Sequence, residues 1–190
     1  SGDLARARAL LGDDSTASDD PVYGWLALYE GDLKGARRLL KREGDVAPDL
    51  VTALALLARV KEERAPAVGQ AFLLLTRGDS AGAAAAFERA AATLPDGAPL
   101  LLAESARLHA AAHADDKAVA LWTTILERYA DAPEAPEAEL EWARALRRRG
   151  DAAGAISHLE HLILTYPQSA LLPQARRELE LARANVPPTP

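Results

Sequence analysis

An alanine followed four residues later by a large apolar side chain recurs along this chain: Ala7 and Leu11, Ala36 and Leu40, Ala83 and Phe87, Ala118 and Trp122, Ala155 and Leu159. That spacing puts both side chains on one helix face, so each pair predicts a helix that packs a small and a bulky residue against its neighbours. Five residues before each alanine a turn signal begins, reading Gly-Asp at Gly2, Gly31, Gly78 and Gly150 and degenerating to His113-Ala114-Asp115-Asp116 in one copy. Glycine accepts the left-handed conformation that ends a helix, and aspartate caps the next one. Seven residues before the turn start stands a small residue, Gly24, Ala71, Ala106 or Ala143, which marks a preceding helix. Leu94-Pro95, Tyr129-Ala130 and Tyr166-Pro167 close the second helices, proline being unable to donate the next helical bond.

The pattern predicts an all-α row of antiparallel helix hairpins over residues 1–185, irregular through residue 95 and regular from 96, followed by an extended Pro-rich tail at 186–190. Turn starts are separated by 29, 47, 35 and 37 residues. The long interval predicts an inserted helix from Pro48 to about Glu62 before the next hairpin opens near Pro66, or else one helix kinked at Pro66. Ser169 to Ala184 reads as a closing helix with Arg176, Arg177, Glu178, Glu180 and Arg183 on a polar outer face. The first copy starts at its turn, and the chain lacks methionine, which reads as a piece cut or processed from a longer protein.

A small residue in the first helix, alanine and an aromatic or other bulky residue in the second, and a closing proline together resemble the tetratricopeptide repeat, whose period is about 34 residues. The resemblance covers most of the chain and implies a right-handed α-solenoid with one inserted and one capping helix. In that family the first helix of each hairpin lines a concave, partner-binding face. The matching positions are Trp25, Phe72, Arg107 and Arg144, joined one turn later by Leu28, Leu75, Ala110 and Arg147, with Tyr29 and Arg148 alongside. Such a groove is aromatic toward the N-terminal half and basic toward the C-terminal half, which suits a peptide or helix with apolar anchors and acidic residues. The competing expectation is that Trp25 and Phe72 pack in the core and that the arginines pair with Glu104 and Glu141. Leu162 to Ser169 looks like the Tyr-Pro-x-Ser turn of bacterial periplasmic tetratricopeptide proteins, which implies an envelope location and an assembly role.

Composition narrows the chemistry. Of 190 residues 49% are apolar, enough for a continuous core, and cysteine is absent, so disulfides, thiolate nucleophiles and cysteine-held metals are excluded. A net charge of −6 with basic residues interleaved among acidic ones disfavours nucleic-acid binding, and no apolar run is long enough to insert in a membrane. Neither a phosphate loop nor a Gly-x-Ser-x-Gly elbow is present. His109 and His113, spaced i, i+4, and His158 and His161, spaced i, i+3 around Glu160, are the pairs able to share a metal. Neither has the His-Glu-x-x-His pattern, and the reading is that no metal or cofactor is bound. The acidic stretch Asp13 to Asp20 lacks the alternating ligands and glycine of a calcium loop, and reads instead as leading to Asp20 capping a helix that opens at Pro21. Arg147-Arg148-Arg149 reads as a recognition patch or as cations suited to the last turn of a helix.

The expected function is a non-enzymatic scaffold, monomeric or weakly dimeric, that binds a protein or peptide. The alternatives are a regulatory or oligomerising end of a larger protein, or a histidine-dependent metal domain.

Overall fold

A computed structural model of the chain describes residues 4–11, 21–40 and 47–184. Gly2-Asp3, the Asp13 to Asp20 stretch and the Pro-rich tail lie outside the described residues. Among those described there are eleven α-helices and no strand: α1 (Leu4–Leu11), α2 (Pro21–Tyr29), α3 (Leu33–Leu39), α4 (Pro48–Arg59), α5 (Pro66–Thr76), α6 (Ser80–Ala91), α7 (Ala98–Ala111), α8 (Asp115–Arg128), α9 (Ala135–Arg148), α10 (Ala152–Thr165) and α11 (Leu172–Ala184). They gather into two compact units, Ser1–Leu108 and His109–Pro190. Within each unit, neighbouring helices pack in sequence order.

The recurring turn has one hydrogen-bond plan. Gly31, Gly78 and Gly150 have φ of 74°, 77° and 80°, and His113 joins them at 57°. The left-handed residue donates to the carbonyl three residues back, and its successor donates to the carbonyl five back: Gly31 to Leu28 and Asp32 to Ala27, Gly150 to Arg147 and Asp151 to Leu146, His113 to Ala110 and Ala114 to His109. This satisfies carbonyls that a helix end leaves open. The aspartate then turns its carboxylate onto the next helix, where Asp32, Asp79 and Asp151 accept from the amides of Gly35, Gly82 and Gly154 at 3.0, 2.9 and 2.8 Å. A side chain at Gly35 or Gly154 would put Cβ 2.5 Å from the capping carboxylate oxygen, which explains why the motif carries a second glycine.

The small and bulky positions meet in the core. Ala36, Ala83 and Ala155 have no exposed surface and Ala118 has 3%, while Leu40, Phe87, Trp122 and Leu159 are all buried. Gly24 explains the first-helix small residue, since a Cβ there would lie 2.8 Å from Leu40 Cγ. Ala7 is half-buried, so the first copy differs from the rest.

The long interval holds two separate helices, α4 and α5, and not one kinked helix. α4 ends at Arg59, before the expected Glu62. Residues 60–65 turn away because their backbone bonds go elsewhere: Lys34 N–H donates to Glu63 O at 3.1 Å and Ala65 N–H to Gly31 O at 2.8 Å. Arg37 caps the end of α4 by donating to the carbonyls of Leu57 and Val60. α2 consequently packs against α5 across the insertion. The approach is close: a Cβ at Gly69 would fall 2.6 Å from Tyr29 O. In the second unit α9, α10 and α11 enclose Leu140, Ala143, Leu159, Leu162, Ala175 and Leu179. α11 begins at Leu172, three residues later than Ser169.

Candidate functional site

The expected groove residues separate into three groups. In the first unit Trp25 and Tyr29 are half-buried on α2, their rings 5.7 Å apart, and Tyr29 Oη bonds with Thr76 Oγ1 at 3.0 Å. Phe72 was expected beside them in the groove. It is 1% exposed and packs edge-on against Phe87 at 5.4 Å, with Trp25 over its other side at 6.4 Å, so it supports the aromatic surface from beneath. Leu28 likewise has no exposed surface. The inserted helix lets α2 and α5 pack directly, and that contact takes both side chains into the core.

Arg107 reaches Glu104 Oε1 at 2.6 Å, and the same carboxylate oxygen accepts from Thr52 Oγ1 at 2.7 Å. The pair ties α7 to α4 inside the first unit.

In the second unit the α9 arginines join three helices. Arg144 donates to Glu141 at 2.6 Å and to Glu178 of α11 at 3.0 Å. Arg147 Nε lies 3.2 Å from the other Glu178 oxygen, close enough for ion pairing though not aligned as a hydrogen bond. Arg148 donates to Asp115 of α8 at 2.9 Å, and Arg149 pairs with Asp116. Burial works against the Arg144 charge, but the Glu141 and Glu178 carboxylates outweigh it and hold the guanidinium above its ordinary value. The Arg148 hydrogen bond pulls Asp115 below the usual carboxylate value. Glu178, expected on the outer face of the closing helix, instead faces these arginines. The basic end of the expected groove is therefore a network of alternating charge, half-exposed at Arg144 and Arg147 and exposed at Arg148. The more exposed pairs, Arg148 with Asp115 and Arg149 with Asp116, contribute at most about 1 kcal/mol each and leave those arginines open to exchange for other acceptors, whereas Glu178 holds Arg144 and Arg147 in partly buried pairs.

Sequence reasoning missed a further group, outside the expected groove. Glu139 of α9 is 3% exposed, and its two oxygens meet Nδ1 of His158 at 2.6 Å and Nδ1 of His161 at 2.5 Å. A buried carboxylate without partners costs several kcal/mol, so both imidazoles donating to an ionised Glu139 is the satisfied arrangement. Trp142 stacks on His158 at 4.1 Å, and Tyr166 stands edge-on to His161 at 6.3 Å. Tyr166 Oη donates to Ala130 O at 3.0 Å. Burial, then the Glu139 and Asp131 charges, push the Tyr166 phenol up. The acid that holds the histidine pair is thus Glu139, on a different helix. Glu160, between them in sequence, pairs with Arg183 at 2.8 Å. One signal was legible: Ala135, Glu139 and Ala143, spaced four residues apart, form a stripe on the buried face of α9, where a glutamate needs a partner.

His161 and Tyr166 line a cleft of about 790 Å³ between the loop at residues 129–134 and the loop at residues 166–171. Among the described residues no group of three or more His, Asp or Glu is arranged to hold a metal ion, and no helix is long and apolar enough to cross a membrane. Compared with protein-family models and with curated proteins, the chain matches none.

Proposed function

We propose that this protein is a non-catalytic scaffold, a right-handed solenoid of tetratricopeptide-like hairpins that holds a peptide or helix of a partner protein within a bacterial envelope assembly. The observation that carries the reading is the α9 surface, where Arg144, Arg147 and Arg148 form a basic row exposed enough to meet a ligand and held in place by carboxylates on α8 and α11. An acidic partner segment can take over those arginines one pair at a time, giving specificity and a salt-dependent on-rate. Trp25 and Tyr29 supply half-exposed aromatic surface of the kind that anchors partner side chains. The Tyr166-Pro167-Gln168-Ser169 turn supports the envelope location by its likeness to periplasmic relatives of the repeat.

The test is quantitative affinity capture from bacterial envelope extract, with the natural chain and an Arg144→Gln, Arg148→Gln double variant as parallel baits. Glutamine removes charge without forcing a like-charge clash against Glu178 or Asp115, so the variant keeps its helical circular dichroism. A protein retained by the natural bait and reduced about tenfold on the variant, the expected loss when charged contacts are removed, supports the reading. Equal retention on both baits removes the α9 face from the proposal.

A further inference from the structure

A glutamate recurs every 37 residues on the first helices of the regular half: Glu104 on α7, Glu141 on α9 and Glu178 on α11. Three residues after the first two stands an arginine, Arg107 or Arg144, and each pair closes on its own helix at 2.6 Å. α11 keeps the glutamate but carries Leu181 where the arginine would be, and that leucine is 51% exposed. Glu178 has no cation three or four residues away on its own helix, so it turns to the preceding one. One of its oxygens accepts from Arg144 Nε at 3.0 Å, and the other lies 3.2 Å from Arg147 Nε. The second contact is a poor one, because both of its atoms are closed off from water without being aligned as a hydrogen bond. The carboxylate can leave without the helix: Ala175, Leu179 and Ala182 anchor α11 in the core, while three rotatable bonds join the Glu178 carboxylate to the backbone. An incoming acid that meets these guanidinium groups with aligned hydrogen bonds would gain what the Arg147 contact lacks. Arg148 stands apart from this arrangement, since its side chain is 48% exposed and its partner is Asp115.

We infer that Glu178 is a built-in competitor for the acidic partner segment: it fills the anionic position at Arg144 and Arg147, and the segment engages both only after its own carboxylate has replaced that of Glu178. The inference rests on the proposed role of the α9 arginine row and adds its regulation. Binding then has two stages. One acidic residue of the segment meets Arg148, whose exposed pair with Asp115 exchanges readily, and a second displaces Glu178 from Arg144 and Arg147. Glu141, on the same helix as Arg144, keeps its contact throughout. Because an internal acid is released for each segment bound, the row favours segments that carry at least two carboxylates, and a lone anion gains little.

The experiment is an NMR titration of the full chain at low ionic strength with the blocked peptide Ser-Glu-Ser-Glu-Ser, following the Nε–Hε signals of Arg144, Arg147 and Arg148 and the glutamate carboxyl carbons. Glu178→Gln keeps the shape of the side chain and should bind the peptide about tenfold more tightly than the natural chain, the gain expected when one charge-assisted contact no longer has to be displaced. Glu160→Gln removes the same charge from the exposed pair with Arg183 and should leave the affinity unchanged, which separates local competition from net charge. On the natural chain, where no variant has to fold, saturation with peptide should move the Glu178 carboxyl signal and leave that of Glu160 in place. Equal or weaker binding by Glu178→Gln, an equal gain from Glu160→Gln, or a Glu178 signal that stays put at saturation overturns the competitor role. Those results leave the arginine row itself standing, since the peptide still binds it. No shift of the three arginines in any chain overturns the inference together with the reading beneath it.

Discussion

Glu139 is the residue whose chemistry depends most on its surroundings. On an exposed helix face it would be an ordinary solvated acid; at 3% exposure its charge is held by two imidazole donors, and it acts in turn on Tyr166. Because burial and the Glu139 charge both raise the phenol, Glu139→Gln should lower the Tyr166 titration midpoint toward the ordinary tyrosine value, read by alkaline ultraviolet difference absorbance. A midpoint that does not fall would show that the Glu139 charge does not reach the phenol. The sign for stability follows: a raised folded-state pKa gives a contribution that is present below the unfolded tyrosine value near 10 and lost as pH rises through the folded one. The Glu139→Gln variant should therefore lose less stability on going alkaline than the natural protein. The alanines and glycines of the repeat were legible one by one, because Ala36, Ala83 and Ala155 are fully packed, Gly24 and Gly35 leave no room for a Cβ, and Gly78 and Gly150 take the left-handed conformation. Glu139 was legible only as an acid out of place on an apolar stripe, since its histidines come from the next helix.

At the scale of the element, the turn between paired helices carries most of the local information. Its left-handed residue, its pair of backbone bonds and its capping aspartate are set by five or six consecutive residues, which is why Gly31, Gly78 and Gly150 could be recognised from sequence. The glycines nevertheless differ in what they tolerate. A Cβ at Gly150 meets nothing within 4 Å, whereas one at Gly31 would meet Pro66 Cα at 2.7 Å. Gly150→Ala should then cost only the left-handed strain, about 1 kcal/mol, and Gly31→Ala should cost some 1–3 kcal/mol more because backbone must move. Urea unfolding of the two variants gives the comparison, and equal losses would contradict the close packing of the Gly31 turn on α5. The end of α4 at Arg59 belongs to the same turn. Its position is decided by carbonyl and amide partners on the Gly31 segment that no local pattern announces.

Across the whole molecule the two units share one packing rule, in which alanine lets helices approach and a bulky side chain fills the space behind. Trp122 is the largest fully buried side chain, and replacing it by alanine should cost about 3–5 kcal/mol in chemical denaturation. A loss below about 1 kcal/mol would mean that this position does not hold the core of the second unit. The sequence by itself determined the helical class, the turns, the inserted helix and the small-and-bulky rhythm of the core, because each depends on neighbours within one or two helical turns. Only tertiary structure decided that Phe72 and Leu28 are core, that Glu178 turns inward to Arg144 and Arg147, and that Glu139 is clamped by His158 and His161. Those outcomes depend on which helix lies across the interface and at what register. Helical periodicity fixes the face a side chain occupies but not the partner that the face meets.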